Sequence, residues 1–240
     1  MKDLFRVVLA IFVIEVCLYK PIEAISTEIK DSKLPVILIH GIGDSCTKGT
    51  ILKNDFPPIF EKIKNEIPND VYCIAYGENK VITYIGMSFK KQVDNACETF
   101  KSIASDYPDN YEDGFILIGF SQGGLIARAL VQQCEPGKYV KKLITLGGVH
   151  QGIGALPEFP EDNPFWKWID TLSADLVYYL QDFVGPAGYY HVMTPESLYI
   201  NSGNVLSDLN SANGVKNQNY FDRIAGLDLF VMIKFRDDKV

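Results

Sequence analysis

The sequence predicts an alternating α/β fold, in which a mostly parallel β-sheet is covered by helices on both faces. Two observations carry this reading. Short, continuous apolar runs recur along the chain, and between them lie longer stretches with apolar residues at helical spacing. A strand buried on both faces needs an unbroken apolar run, and strands separated by helices pair in parallel because each helix supplies the crossover.

The elements follow in order. VILIH at 36–40 reads as the first strand and is followed by a Gly-rich turn. Residues 51–67 carry helical spacing, and DVYCIAYG at 70–77 is the second strand, ended by Gly77. Residues 89–105 form an amphipathic helix with Val93, Ala96, Cys97, Phe100 and Ile103 on one side. GFILIGF at 114–120 is the strongest strand signal, with a helix from Gln122 to about Gln133 behind it. KKLITLGGV at 141–149 is a further buried strand, closed by two glycines. The stretch 150–220 is rich in Pro, Gly, Asn and aromatics, with helical pieces near 163–183, and is expected to be an insertion or cap. DLFVMIKF at 228–235 returns to strand character. There are no internal repeats.

Composition narrows the function classes. A length of 240 residues suits one domain, and 47% hydrophobic with 22% charged residues excludes a disordered chain. A net charge of −7 argues against nucleic acid, which needs a basic surface. Lys2 and Arg6 precede an apolar run from Val7 to Tyr19, broken by Glu15, and Ala24 is a plausible cleavage point. This layout predicts a signal peptide over 1–24, a domain over 25–240, entry into the secretory pathway and no stable membrane span. Cys17 would leave with the leader. Cys46, Cys73, Cys97 and Cys134 remain, too few for a disulfide scaffold, and the sequence by itself does not choose among their three pairings. There is no N-x-[ST] sequon.

The informative motif is Gly119-Phe120-Ser121-Gln122-Gly123, which fits G-x-S-x-G with a buried strand before it and a helix after it. A sharp strand-to-helix turn exposes the Ser121 hydroxyl and crowds the backbone, so the flanking positions need glycine. The helix N-terminus stabilises negative charge developing there. Ser121 is therefore the candidate nucleophile. His40-Gly41-Ile42-Gly43-Asp44 follows the first strand, and a Gly-rich loop at that place can aim a backbone N–H at the reacting oxygen. The candidate oxyanion donors are the N–H groups of Ile42 and Gln122. His40, at a strand end, suits a loop-positioning role rather than that of a base.

Taken together, HGIGDSC at 40–46, GFSQGG at 119–124 and GGVHQG at 147–152 resemble the palmitoyl-protein thioesterases, and the lysosomal type in particular. The likeness extends through YYHVMTPESLYINSGNVLSDLN at 189–210 to FVMIKF at 230–235. It implies an α/β-hydrolase fold and removal of long-chain acyl groups from the cysteine thioesters of S-acylated proteins and peptides, without cofactor or metal. It implies Ser121 as nucleophile, Ile42 and Gln122 as oxyanion donors, and Asp238, after FVMIKF, as the catalytic acid of the triad. It implies a Cys97–Cys134 disulfide. The family's adjacent cysteine pair is represented by Cys46 and Thr47, so that bridge is expected to be absent, and Cys73 is expected to be a buried free thiol.

Serine needs a base, and the triad order in this fold is Ser, Asp, His. His40, His150 and His191 all precede Asp238, and the chain stops two residues after it. The family's histidine, with the last strand and helix of the fold, is expected to be missing from this 240-residue chain, and His150 is expected to be structural or pocket-lining. Two other functions compete: a lipase or thioesterase of different acyl preference, and a non-catalytic lipid or protein binder. Phe159, Phe165, Trp166, Trp168, Tyr178, Tyr179, Phe183, Tyr189 and Tyr190 suit an acyl groove and equally suit a packed cap core.

Overall fold

Five parallel strands, β1 (Val36–Ile39), β2 (Val71–Ile74), β3 (Phe115–Phe120), β4 (Val140–Leu146) and β5 (Leu229–Ile233), form one sheet in the order β2-β1-β3-β4-β5. This computed structural model describes residues 27, 29, 33–46, 58–77, 83–106, 113–156 and 173–236. The segment read as a leader and Asp238 lie outside the described residues. β1 sits between β2 and β3, with Leu38 opposite Cys73 on one side and Ile118 on the other.

Strand side chains alternate between the two faces. Val36 and Leu38 point with Ile116, Ile118, Ile144 and Leu146 toward one face, where helix α1 (Pro58–Glu66) supplies Phe60. Ile37 and Ile39 point with Phe115, Leu117 and Leu143 to the other, where helices α2 (Phe89–Ser105) and α3 (Gln122–Gln133) lie. Both faces are covered, which is why the strands read as continuous apolar runs rather than as alternating ones. α2 begins where Ser88 caps it, its side chain accepting from the Lys91 N–H at 3.1 Å. Its buried stripe, Phe89, Val93, Ala96, Phe100 and Ala104, recurs every three to four residues.

Between β4 and β5 the described residues form short pieces: α4 (Ala174–Tyr179), a 3₁₀ turn (Gly185–Tyr189), α5 (Glu196–Asn201), α6 (Val205–Leu209) and α7 (Gln218–Ala225). They have no separate core. Ile153, Val177, Tyr178, Tyr189, Tyr190, Tyr199 and Leu206 join the same apolar cluster as α2 and α3. Tyr178, Tyr189 and Tyr190 are thus core residues, whereas Tyr179 and Phe183 are exposed. Phe159, Phe165, Trp166 and Trp168 lie outside the described residues. No helix among the described residues is long and apolar enough to cross a membrane.

Two disulfides staple the scaffold, Cys97–Cys134 between α2 and the end of α3, and Cys46–Cys73 between the loop after β1 and β2. The second corrects the expectation of a free Cys73 and an unbridged Cys46. Cys46 lacks an adjacent cysteine, but β1 and β2 are neighbours, and the loop leaving β1 brings the Cys46 Cα to 5.7 Å from that of Cys73, within bridging reach.

Closing loops of 37 and 27 residues restricts the unfolded chain by roughly 4 and 3.5 kcal/mol in the chain-entropy model. Replacing Cys97 and Cys134 together by alanine is expected to lower the unfolding free energy by roughly 4 kcal/mol, read from urea unfolding curves with the slope fitted for each protein. An unchanged unfolding free energy would show that the bridge does not restrain the unfolded chain.

Candidate active site

From β1 the chain moves outward to β2, and from β3 it moves to β4 on the opposite side. The direction reverses between β1 and β3, and in open α/β sheets ligands bind at the carboxyl ends of the strands at such a point. Two segments meet there: His40-Gly41-Ile42 leaving β1 and Ser121 leaving β3, with Ile39 opposite Gly119 in the sheet.

Ser121 stands alone between strand and helix with φ 52° and ψ −124°. This left-handed φ is strained for a residue with a side chain, by about 1–3 kcal/mol, and persists only where the surroundings over-determine it. They do so here. The Ser121 N–H donates to the Leu146 carbonyl at 2.8 Å, and its own carbonyl accepts from the Gly124 N–H at 2.9 Å. The first turn of α3 lies hard against the strand ends. A Cβ on Gly119 would fall 2.4 Å from the Gly123 carbonyl oxygen, and one on Gly123 would fall 2.2 Å from that of His40. Gly41 passes close on the other side, its Cβ position 3.4 Å from the Ser121 Cβ. The half-buried serine therefore faces the Gly41–Ile42 loop.

His40 is buried and stacked on Tyr76, ring centroids 4.3 Å apart. Its Nδ1 donates to the Gly41 carbonyl at 2.8 Å. That carbonyl shares a peptide plane with the Ile42 N–H, so the imidazole orients the donor on the plane's opposite edge. Burial holds His40 down to about 4, neutral at physiological pH.

His150 is also buried. Its Nε2 lies 2.9 Å from Thr145 Oγ1, its ring meets Phe230 edge-on, and burial, with the Arg128 guanidinium as the lesser cause, lowers it to about 3. His191 stacks on Tyr199 and donates from Nδ1 to the Gln151 carbonyl at 2.7 Å. None of the three histidines is hydrogen-bonded to Ser121. Asp238 is outside the described residues, but the strand leading to it ends beside the site: the Gly147 N–H donates to the Ile233 carbonyl at 2.7 Å, and the Phe235 ring lies 6.3 Å from that of Phe120. Among the described residues no group of His, Cys, Asp and Glu is arranged to hold a metal.

Sequence reasoning missed the polar cluster beneath the elbow. Gln92, Tyr76 and Tyr189 are buried around the Gln122 side chain. The one available signal was Gln92, a polar residue one position from the apolar stripe of α2. Arg128 of α3 was also missed. It is half-buried with no carboxylate partner among the described residues, donates to Asn210 Oδ1 at 2.8 Å and to the His150 carbonyl at 3.4 Å, and is lowered by desolvation to about 10.

A parallel sheet whose central strand breaks into a helix at a left-handed serine, beside a glycine loop from the neighbouring strand, defines an α/β-hydrolase. The model of the family described as palmitoyl protein thioesterase matches residues 35–240, and the chain belongs to that family. It is 29% identical over 218 residues to palmitoyl-protein thioesterase-dolichyl pyrophosphate phosphatase fusion 1 of Schizosaccharomyces pombe, covering 87% of this chain and 33% of that protein. It is 28% identical over 219 residues to palmitoyl-protein thioesterase 1 of Caenorhabditis elegans, covering 86% of this chain and 67% of the relative. With palmitoyl-protein thioesterase 3 of Dictyostelium discoideum it shares 27% identity over 218 residues, 90% of this chain and 69% of the relative. The chain thus spans a third of the fission-yeast fusion and about two thirds of the other two.

Two outcomes are expected. Gly123→Ala places a methyl group 2.2 Å from a backbone oxygen, so it should lower stability by about 1–3 kcal/mol and slow the labelling of Ser121 by a fluorophosphonate. Unchanged labelling would mean that the elbow tolerates a Cβ there.

The buried histidines should make the fold acid-sensitive. Their folded pKa values lie below the unfolded 6.5, so the unfolded chain binds more protons below that pH. Their stabilising contribution is complete above pH 6.5 and is lost as pH falls toward about 4 for His40 and about 3 for His150. Between pH 7 and 5 each accounts for a loss of about 2 kcal/mol. His150→Gln should therefore lose about 2 kcal/mol less than the parent over that interval in urea titrations; parallel pH curves would refute the assignment.

Proposed function

We propose that this chain carries the nucleophile and oxyanion hole of a hydrolase that removes long-chain acyl groups, palmitoyl above all, from the cysteine thioesters of proteins and peptides. One observation carries the reading: Ser121, at φ 52°, faces the Gly41–Ile42 loop at the reversal point of the sheet, in a chain of the palmitoyl protein thioesterase family. Ser121 Oγ attacks the thioester carbonyl carbon. The carbonyl oxygen becomes an oxyanion that accepts from the Ile42 and Gln122 N–H groups, at the positive end of α3. The carbon–sulfur bond breaks, the cysteine thiol leaves with a proton, and water then hydrolyses the acyl-serine.

The proton needs a base. His40, His150 and His191 each hold another group and none is hydrogen-bonded to Ser121, and the family resemblance assigns Asp238 to orient the base. Two disulfides support a home in the secretory pathway, entered through the 1–24 leader and ending in the lysosome, since such bridges persist in oxidising compartments.

The test is hydrolysis of a palmitoylated cysteine peptide by the full-length protein and its Ser121→Ala variant. The variant should lose turnover by on the order of 10⁴ to 10⁶. Turnover surviving the substitution would remove Ser121 from the mechanism. A preference for glycerol oxygen esters over the thioester would favour a lipase instead.

A further inference from the structure

Gln122 has a second connection to the oxyanion hole, made by its side chain. The carboxamide lies buried at the start of α3, with both its N–H hydrogens and its oxygen engaged. Nε2 donates to Gln92 Oε1 at 2.8 Å and to the Tyr76 hydroxyl at 3.2 Å, and Oε1 accepts from the Tyr189 hydroxyl at 2.8 Å. The Tyr76 hydroxyl donates onward to the His40 carbonyl at 3.0 Å.

The direction of every bond in this chain follows from its far end. Gln92 Nε2 donates to the carbonyls of Thr83 and Met87, at 2.7 and 3.1 Å, so only its oxygen is left to face Gln122. Gln122 must then present its nitrogen to Gln92 and its oxygen to Tyr189. The second proton on that nitrogen makes the Tyr76 oxygen an acceptor, which leaves the Tyr76 proton for the His40 carbonyl. Burial raises both phenols, so they remain donors at physiological pH.

We propose that the Gln122 carboxamide, relayed by Tyr76, is a positioning group that holds the two oxyanion donors in register with each other. This rests on the oxyanion hole described under Proposed function. The two donors come from different segments. The Gln122 N–H is set by the strained elbow. The Ile42 N–H sits in a glycine-flanked loop whose own backbone bond, from the Asp44 N–H to the Gly41 carbonyl, is long at 3.3 Å. Tyr76 grips that loop twice, by stacking on the His40 ring and by its hydrogen bond to the His40 carbonyl. Gln122 ties Tyr76 to the nucleophile helix. Tyr189, from the segment between β4 and β5, donates to the amide oxygen, so the amide cannot turn over without leaving buried groups unpaired.

The test compares full-length parent protein with Tyr76→Phe, Gln122→Met and the double variant. Tyr76→Phe keeps the ring on His40 and removes only the hydroxyl. Gln122→Met keeps the backbone N–H and removes the amide. Each should lower kcat on a palmitoyl thioester by about tenfold with KM within about twofold, since the oxyanion exists only in the transition state. Affinity for a long-chain trifluoromethyl ketone, which forms a tetrahedral adduct on Ser121, should fall in parallel, while affinity for palmitate stays. The double variant should lose no more than the worse single one, because both cut one tie. Unchanged kcat and ketone affinity in folded Tyr76→Phe, or multiplicative losses in the double variant, would overturn the tie. Tyr76→Phe decides alone if Gln122→Met does not fold. Turnover that survives Ser121→Ala overturns the functional reading and the tie together; turnover lost there but untouched in Tyr76→Phe overturns the tie only.

Discussion

The close approach of the first turn of α3 to the carboxyl ends of β1 and β3 is the constraint on which the rest of the site depends. The contact leaves no room for side chains at Gly119 and Gly123, whose Cβ atoms would overlap backbone. Because the helix must start at once after the strand, the intervening residue takes the left-handed conformation, and Ser121 carries that strain. The same contact seats the first turn of α3 against the backbone of Ile39 and His40, where the chain leaves β1. The serine at the elbow and the glycine loop beside it are thus placed by one packing event, and the hydrogen bond from the Ser121 N–H to the Leu146 carbonyl holds that event to β4 as well.

α3 also holds the segment between β4 and β5. Arg128 reaches Asn210 and the His150 carbonyl, Gln132 Nε2 donates to the Leu209 carbonyl at 3.3 Å, and Gln122 receives Tyr189. These three anchors run along one helix, whose first turn bears the serine. Desolvation lowers Arg128 to about 10, and its two hydrogen bonds, to Asn210 and the His150 carbonyl, make the joint. The described residues of this segment share one core with α2 and α3.

Much of the fold was legible because its signals are local. The five apolar runs each became a strand, and the helices at 89–105 and 122–133 end where the sequence pattern stops. G-x-S-x-G pointed to the elbow because glycine there answers a steric need within five residues. The Cys46–Cys73 bridge was not legible, since it depends on β1 and β2 lying side by side, and reading Cys46 against a sequence-adjacent partner excluded the true one. The Gln122 cluster escaped for a similar reason. Its members, at positions 76, 92, 122 and 189, come from four segments, and a buried amide looks no different in sequence from an exposed one. The aromatics of 150–220 divided: Tyr178, Tyr189 and Tyr190 are core, while Tyr179 and Phe183 face outward, a split that depends on a tertiary surface rather than on periodicity.

Acid and oxidation act on this fold in opposite senses. Two neutral, buried histidines together withdraw about 4 kcal/mol of stability between pH 7 and 5, a large share of the 5–15 kcal/mol typical of a domain. Neither imidazole can be spared at its place: His40 orients the Ile42 peptide, and His150 bridges Thr145 and the ring of Phe230. The two disulfides close loops over 46–73 and 97–134, which do not overlap, so their restrictions on the unfolded chain add to roughly 7 kcal/mol. That contribution is independent of pH because it resides in the unfolded ensemble. The bridges therefore exceed the acid loss. The loop leaving β1, held by an uncharged His40 bonded to the Gly41 carbonyl, therefore rests under acid on cross-links whose contribution does not titrate.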